Sequence, residues 1–447
     1  MTSLAERPAN PPCHADYEPL VCGAILYDDP DVRTSGWVSR DGSEPVRVDE
    51  RVIGQSDTIW LTNVNLFRLG QAGLSSRYRH DAWIRVKVNS LLREWGLETR
   101  PDEGVRLLSK TFGRVMAQME KAFPTLNLRA PKNSLKPQDS LSTLVTTALP
   151  VIRQVGDARM KKVAQAAYKT YQNIERAPRG KEERRYTAFI APREEHARTI
   201  LSTPVPYGPW EEFKEGRPGF PSDVKSRLAW LRDAGRPAVV RVVYRGTGES
   251  PLGRILNGET REWWTGEEVL FAFDAGLPGG EIEIVEAHLA KGREPSPVVL
   301  PGGGPLAPLS ISYGLFAENL WVAAAEIGTA EARPPWGLFL RAADRMRTTR
   351  TALELLSRGI DVFGMGYGVV HASLPIDAEP DDILEIARVT ETFAVPGDPD
   401  HRAKPRDGDK TDILRAIYAS GGWQGLERLD DMWEAEWKKG KESTTPS

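Results

Sequence analysis

A long amphipathic stretch at 336–358 leads directly into two short β-prone runs that are separated by glycines, Val362-Phe-Gly-Met-Gly-Tyr-Gly-Val-Val-His371. The apolar residues of the stretch recur at helical spacing, which predicts a helix with one buried stripe. They are Leu338, Ala342, Met346, Thr349, Leu353 and Leu356. Glycines between two β runs are typical of a tight hairpin, whose strands are antiparallel. The segment at 336–371 is therefore expected to form a long helix followed by a hairpin.

Composition excludes several classes of protein. The chain has 447 residues, 40% hydrophobic and 27% charged, which is ordinary for globular proteins. This length predicts two to four domains. It has no run of about 18 apolar residues, and its first residues lack the pattern of a secretory signal. We therefore expect a cytoplasmic protein without membrane contact. Because Cys13 and Cys22 are the two cysteines, a disulfide framework and a cysteine-based zinc site are excluded.

Further local patterns predict alternating strands and helices. β-prone runs occur at 21–27, 34–38 and 58–61, and a helical pattern follows at 78–95. Ala238–Tyr244 is typical of a buried strand. Thr265 and Glu268 have the spacing of a helix capping box. A strand at 282–287 and a helix at 314–327 follow. A C-terminal helix would present Leu426, Leu429, Trp433 and Trp437 on one face.

The charge is unevenly distributed. The net charge is −3, but residues 106–185 contain 17 Lys+Arg and 6 Asp+Glu, a balance of 17 − 6 = +11. The rest of the chain then carries −3 − 11 = −14. Such asymmetry indicates nucleic-acid contact. A solvated helical face that pairs with the acidic remainder explains it equally well.

Common enzyme signatures are missing from the sequence. It contains no phosphate-binding Walker loop, no HExxH, no G-x-S-x-G and no Rossmann glycine pattern after a strand. The six histidines are scattered without metal-ligand spacing. We therefore expect neither a metal nor a cofactor from these motifs.

Four segments occur in the order found in one polymerase family. The first is Ile190-Ala-Pro-Arg-Glu-Glu-His-Ala197 with Val205-Pro-Tyr-Gly208, and the second is the Trp264–Gly276 region with the strand at 282–285. The third is Leu306-Ala-Pro-Leu-Ser-Ile-Ser-Tyr-Gly-Leu-Phe316, and the fourth is the helix at 336–358 with its hairpin. Together they resemble the palm of family B DNA polymerases, especially the protein-primed type of bacteriophages and linear plasmids. This resemblance implies an α+β fold, with a polymerase-like palm made of an antiparallel sheet and helices.

The resemblance implies that the essential acids are lost. Ala191 stands where the first metal-binding Asp belongs, and Met365 and Tyr367 stand where the paired Asp of the hairpin belong. Leu306, Ser310 and His196 replace the Lys, Asn and Tyr of the family motifs. Nucleotidyl transfer uses two Mg²⁺ ions about 3.5–4 Å apart that carboxylates hold. Alanine and methionine offer no oxygen ligand, and tyrosine offers only a phenol. The resemblance therefore predicts a site without metal, cofactor or polymerase activity.

The N-terminal third resembles the family's proofreading exonuclease more weakly. Asp16 and Glu18 have the spacing of its first motif, while Thr62-Asn-Val-Asn-Leu-Phe-Arg68 is similar to a later one, with Arg68 in place of the Asp. One D-x-E pair without its later partners cannot assemble two metals. The resemblance implies a degenerate, RNase H-like α/β domain before the palm.

The resulting domain plan has five parts. It comprises a loose arm (1–19), a degenerate exonuclease-like domain (20–105), a basic helical segment (106–188), a palm/fingers-like domain (189–375) and a thumb-like helical region (376–447). Basic groups neutralise phosphates, and aromatic rings stack on bases. Candidate nucleic-acid-binding residues are Lys161, Lys162, Lys169, Tyr171, Arg176, Arg179, Arg184 and Arg185, and the resemblance adds Tyr313 and Gly314.

The leading hypothesis is a catalytically inactive polymerase-like protein that serves as a DNA- or RNA-binding or scaffold subunit of a phage, plasmid or mobile-element system. One alternative is an active polymerase or nuclease with displaced carboxylates. Another is a protein-interaction module without nucleic acid, for which the helix with Trp433 and Trp437 would be the docking face.

Overall fold

The structure, a computed structural model, describes most of the chain. The described residues are 21–48, 58–71, 77–126, 140–149, 160, 163, 184–246, 248–256, 261–278, 280–326, 335–375, 377–396 and 422–442. The predicted arm (1–19) and most of the predicted helix at 158–174 lie outside them. No helix within these ranges is both long and apolar enough to cross a bilayer.

The N-terminal sheet has five strands in the order β3-β2-β1-β4-β5. They are β1 (Cys22–Tyr27), β2 (Gly36–Arg40), β3 (Val46–Arg47), β4 (Ile59–Thr62) and β5 (Tyr78–Arg79). β1 is antiparallel to β2 and parallel to β4. All six residues of β1 are buried, as expected for a strand covered on both faces. Gly23 is required there, because an added Cβ would lie 2.2 Å from the Trp60 ring.

Helices cover this sheet and connect it to the centre of the molecule. They are α1 (Leu66–Gln71), α2 (Val88–Glu94), α3 (Pro101–Ala122) and α4 (Leu141–Ala148). The prediction of one helix over 78–95 is wrong at its start, because Tyr78 and Arg79 pair with β4 as a strand. α3 packs against β1 and β2 and also against the central helix described below.

Two antiparallel four-stranded sheets follow. The first has the order β11-β12-β6-β13 and is called the hairpin sheet here. The second has the order β7-β10-β8-β9. Their strands are β6 (Arg184–Ile190), β7 (Val205–Lys214), β8 (Ala238–Tyr244), β9 (Trp263–Thr265), β10 (Ile282–Glu294), β11 (Asp361–Gly366), β12 (Val369–Pro375) and β13 (Phe393–Pro396). The predicted hairpin is confirmed as β11–β12, and antiparallel sheets combined with helices confirm the α+β class.

The remaining helices pack on and between the sheets. They are α5 (Arg193–Leu201), α6 (Val224–Ala234), α7 (Pro251–Leu256), α8 (Gly266–Asp274), α9 (Ile311–Glu326), α10 (Pro335–Ser357), α11 (Pro380–Val389) and α12 (Gly422–Glu442). The predicted capping box opens α8, with Thr265 and Glu268 bonded reciprocally. α9 is apolar around most of its circumference and is buried except at Glu326, as expected for a helix in the middle of a core.

Candidate functional site

The hairpin sheet brings together the three positions where the family resemblance expects acids. Val369 on β12 is paired with Ile190 on β6, and Gly366 on β11 is paired with Val369. The amide of Ala191 donates a hydrogen bond of 2.8 Å to the Gly368 carbonyl. Ala191 just after β6, Met365 near the end of β11 and Tyr367 in the turn therefore form one local site, called the hairpin site.

A buried carboxylate from α10 holds the hairpin site together. Asp344 is 0% exposed. It accepts hydrogen bonds from the Tyr367 amide (2.9 Å), the Gly368 amide (2.8 Å) and His196 Nε2 (2.9 Å). Burial alone would raise the pKa of Asp344, but the hydrogen bond and charge of His196 and the Tyr367 amide outweigh it and lower the pKa. Asp344 is thus a structural anion that clamps α5 and the hairpin turn to α10.

The turn is shaped around His196. Gly368 has a φ of +74°, and a Cβ at this position would lie 3.1 Å from the His196 ring. His196 also meets the Trp321 ring edge to face at 5.6 Å. Position 368 therefore favours glycine, because its φ is positive and because the His196 imidazole occupies the space next to an added Cβ. His196 therefore acts as part of the packing and as a donor to Asp344.

Tyr367 lies between two guanidinium groups. The Arg85 guanidinium carbon is 3.8 Å from the centre of the Tyr367 ring, and that of Arg341 is 4.4 Å from it. The phenol donates to Glu326 Oε1 at 3.4 Å, and Glu326 also pairs with Arg341. Tyr367 has a φ of +56°, a conformation that a bulky residue adopts only when its surroundings enforce it. Two cation–π contacts therefore help to hold the Tyr367 ring in this conformation.

A cleft of about 290 Å³ opens beside the hairpin site. Its floor is the apolar face of the hairpin sheet, with Ala188, Ile190 and Val369. Lys87, Ser90 and Arg93 line one side of it. Lys87 is exposed and, within the described residues, pairs with no carboxylate. The cleft thus combines an apolar floor with a cationic rim.

The acidic residues around the cleft are already neutralised. Arg193 binds both oxygens of Glu94 and also Glu318 Oε2, at 2.7 Å. Burial alone would lower the pKa of Arg193, but the two carboxylates raise it above its usual value. Gly314 lies against this arginine, because its added Cβ would be 3.3 Å from the Arg193 Cβ. These ion pairs tie α2, α5 and α9 together beneath the cleft.

The donors at the hairpin site do not fit the pair of Mg²⁺ ions that the resemblance implies. Mg²⁺ requires several oxygen ligands in near-octahedral geometry. Ala191 and Met365 supply none, and Met365 Sδ lies 3.8 Å from the Thr349 hydroxyl. Asp344 is fully occupied by its donors, whereas Glu94 and Glu318 bind Arg193. The residues present at this site therefore do not fit the two-metal centre of a polymerase.

Another acidic cluster lies on the second sheet. One ligand atom each from Glu212, Glu286 and His288 falls within 4.8 Å of the others. His288 is opposite Glu212 in the β7–β10 pairing. Glu212 also pairs with Arg217 (3.1 Å) and Lys214 (3.4 Å), and His288 is bonded to Glu286. These partners already balance the charge of the cluster.

Most predicted nucleic-acid-binding residues lie outside the described residues. They are Lys161, Lys162, Lys169, Tyr171, Arg176 and Arg179, and the acids Asp16 and Glu18 also lie outside. Arg184 and Arg185 open β6 beside the C-terminal end of β12, but their side chains are not described. Tyr313 is 1% exposed and donates to the Pro301 carbonyl. This burial argues against direct contact between the Tyr313 ring and nucleic acid.

The structure corrects the prediction for Trp433. Trp433 is 1% exposed, donates from Nε1 to the Gly303 carbonyl at 2.8 Å and packs 5.5 Å from the Tyr313 ring. The apolar stripe of α12 is thus covered by the chain's own core and is not a free docking face at Trp433. The side chain of Trp437 is outside the described residues.

The motif at 62–68 also has structural roles. The Asn63 side chain bonds the main chain of Tyr27 in both directions, at 2.8 and 3.0 Å. Asn65 accepts from the Arg68 amide, and Arg68 pairs with Asp31 at 3.1 Å. These contacts connect the end of β4 and the start of α1 to Tyr27 and Asp31.

Sequence reasoning missed the residues that organise the site, namely Asp344, Arg193, Arg85 and Lys87. The one available signal was Asp344, a lone carboxylate among the buried positions of the helix at 336–358. Charged residues are rarely fully buried unless they are paired. The partner could not be identified, because it is a turn 23 residues further along the chain.

Comparisons with known proteins give likenesses to one polymerase. No family model and no curated protein matches the chain. Among solved structures, it is similar to Phi29 DNA polymerase complexed with primer-template DNA and incoming nucleotides, at 9% identity over 83% of this chain and 82% of that chain, with a TM-score of 0.36. An orthorhombic crystal form of the same polymerase gives 9% identity over 81% of each chain and a TM-score of 0.38. At these sequence identities and TM-scores, the function is inferred from the residues of the site and not from the likeness.

Proposed function

We propose that the chain is a catalytically inactive relative of family B DNA polymerases that binds nucleic acid, as a binding or scaffold subunit. The observation that carries this proposal is the hairpin site. Ala191, Met365 and Tyr367 meet where the resemblance expects three acids, and the carboxylate beside them, Asp344, is consumed by three hydrogen bonds. A phage, plasmid or mobile-element setting follows from the resemblance alone.

The antiparallel hairpin sheet and the mixed N-terminal sheet support the proposed domain plan. The hairpin sheet, covered on one face by α10, supports a palm-like interpretation of 189–375. The mixed N-terminal sheet, with an antiparallel hairpin at one edge and parallel strands at the other, supports an exonuclease-like, RNase H-like interpretation of 20–105. Its first strand, Cys22–Tyr27, contains no acid.

The cleft is the proposed nucleic-acid site within the described part of the chain. A volume of about 290 Å³ is small for a ligand pocket and suits one unpaired nucleotide rather than a duplex. The rim residues Lys87 and Arg93 would neutralise phosphates, while the half-buried ring of His371 offers a surface for a base.

Binding is tested by fluorescence anisotropy with a labelled single-stranded oligonucleotide titrated with salt. Lys87→Ala should weaken binding and reduce the slope of log K against log salt by about 0.7, the value for one phosphate contact on a single strand. Lys225→Ala on α6, also exposed, is the matched control and should leave affinity unchanged. Equal effects of both variants, or no binding at low salt, would contradict the cleft as the binding site.

Inactivity is tested by primer extension with Mg²⁺ or Mn²⁺ present. We expect no extended product, because Ala191 and Met365 cannot replace carboxylate ligands. Metal-dependent extension by the purified chain would contradict the proposal and favour the alternative with displaced carboxylates.

A further inference from the structure

α3 carries a row of three cations whose ion pairs are all made with α12. Arg106 pairs with Glu427 at 2.9 Å, and Lys110 pairs with Asp431 at 2.6 Å. Arg114 pairs with Asp430 at 2.7 Å and with Asp431 and Glu434. The three cations are four residues apart and therefore lie on one face of the helix. Within the described residues, no carboxylate outside α12 neutralises them.

The same helix places an anion at the N-terminus of α9. Asp430 is 0% exposed. It accepts from the Ser312 amide at 3.1 Å and from the hydroxyls of Ser310 and Ser312, each at 2.5 Å. The N-terminus of a helix attracts anions through its free amides and its dipole. Ser310 caps α9 locally by accepting from the Tyr313 amide at 3.0 Å, and Asp430 adds a negative charge from α12 to the same helix end.

The cation row of α3 and the N-terminus of α9 form one continuous surface that attracts anions. Arg114 and the α9 N-terminus share Asp430, so the cation row runs directly into the helix end. α12 covers this surface with four carboxylates, those of Glu427, Asp430, Asp431 and Glu434. A nucleic-acid strand presents a comparable row of negative charges along one edge.

We propose that α3 and the α9 N-terminus form a second phosphate-backbone-binding surface, and that α12 is its autoinhibitory occupant. A nucleic-acid strand would compete with the α12 carboxylates for Arg106, Lys110 and Arg114. The inference rests on the proposed function for the identity of the competing anion. The inference also assigns a role to the first three cations of the basic segment at 106–185. These cations, Arg106, Lys110 and Arg114, are neutralised within the chain by α12.

The test weakens the ionic contacts of α12 without removing its anchors. The variant Glu427→Gln/Asp431→Asn/Glu434→Gln keeps the buried residues of α12, among them Asp430, Trp433 and Leu426. Anisotropy with a labelled single strand should show affinity increased on the order of tenfold at low salt, with a salt slope steeper by about 2, as three added phosphate contacts predict. Adding Arg106→Gln and Lys110→Gln should abolish the gain.

A charge-matched control separates this effect from net charge. Glu98→Gln/Glu215→Gln/Glu436→Gln removes three exposed acids and gives the same net charge. If the α12 variant is folded by circular dichroism and binds no tighter than this control, the inference is wrong. Should the triple variant not fold, Glu427→Gln alone, which frees Arg106 and one contact of Lys110, must still bind more tightly than Glu436→Gln alone.

The outcomes distinguish this inference from the proposed cleft. A strand that binds the unmodified chain in a Lys87-dependent way, without a gain in the α12 variant, overturns the inference alone. A gain that Lys87→Ala does not reduce supports the α3 surface even where the cleft fails. Absence of binding by every variant at low salt overturns both.

Discussion

At the scale of single residues, the hairpin site is organised by hydrogen bonds to one buried carboxylate, that of Asp344. Its carboxylate comes from α10, is fully buried and accepts from two amides and one imidazole. A buried carboxylate is stable only when such donors compensate its desolvation. Asp344 therefore stabilises the fold by joining α5 and the hairpin turn to α10.

Asp344→Asn is the direct test of this clamp. The amide side chain has the same shape but loses the charge and turns one acceptor into a donor that faces a backbone N–H. We expect a loss of about 2–4 kcal/mol in the free energy of unfolding at pH 7, measured by urea denaturation. Asp381→Asn on exposed α11 should change it by less than about 0.5 kcal/mol.

The effect of Asp344 on stability should depend on pH in a defined direction. Its pKa is lowered in the folded state, so its contribution is complete above the unfolded value of about 3.9. The contribution is lost as pH falls through the lowered folded-state pKa. The stability lost in Asp344→Asn should thus shrink as pH falls below about 4, near the unfolded value of the carboxyl group. A difference between the variant and the unmodified chain that stays unchanged in strong acid would assign the clamp to another group.

At the scale of elements, the sequence predicted local structure well and long-range pairing poorly. The β11–β12 hairpin and the α8 capping box depend on residues within a few positions of one another, and both are confirmed. β5 depends on parallel pairing with β4, which no local pattern encodes, so it was predicted as helix. The stripe of α12 was recognised, but its partners on α3 lie more than 310 residues away.

The capping box of α8 also serves as an ionic junction. Glu268 accepts from the Thr265 amide at 3.0 Å and binds Arg345 at 2.6 Å and Arg261 at 3.1 Å. Burial alone would raise the pKa of Glu268, but the two arginines hold it far below its usual value. One side chain thus caps α8 and links it to α10.

Two substitutions separate these roles. Thr265→Ala removes one cap and should cost about 1 kcal/mol of unfolding free energy. Glu268→Gln removes the carboxylate charge that two buried guanidinium groups bind and should cost about 3–5 kcal/mol. Guanidinium chloride denaturation followed by circular dichroism measures both, and similar losses would show that the capping bond, not the ionic junction, dominates.

At the scale of the whole molecule, α12 joins regions that are distant in sequence. Its apolar residues belong to the same core as the N-terminal sheet, α3 and α9. Trp423 lies under the Arg106 guanidinium at 5.3 Å, and Trp433 packs on Tyr313. Both the fold and any α12-controlled surface therefore depend on one helix at the C-terminal end of the described chain.

Trp433→Ala tests this dependence. Loss of a fully buried tryptophan should cost about 3–5 kcal/mol, and the Gly303 carbonyl would lose its donor. Because Trp433 contacts the core that α3 and α9 share, urea unfolding followed by far-UV circular dichroism should shift as one transition to lower midpoint. Met432→Ala, on the same helix and 48% exposed, is the control and should leave the midpoint nearly unchanged. A separate early transition in Trp433→Ala, with the main one unmoved, would show that α12 detaches without weakening the rest; the autoinhibitory occupant would then be an independent arm.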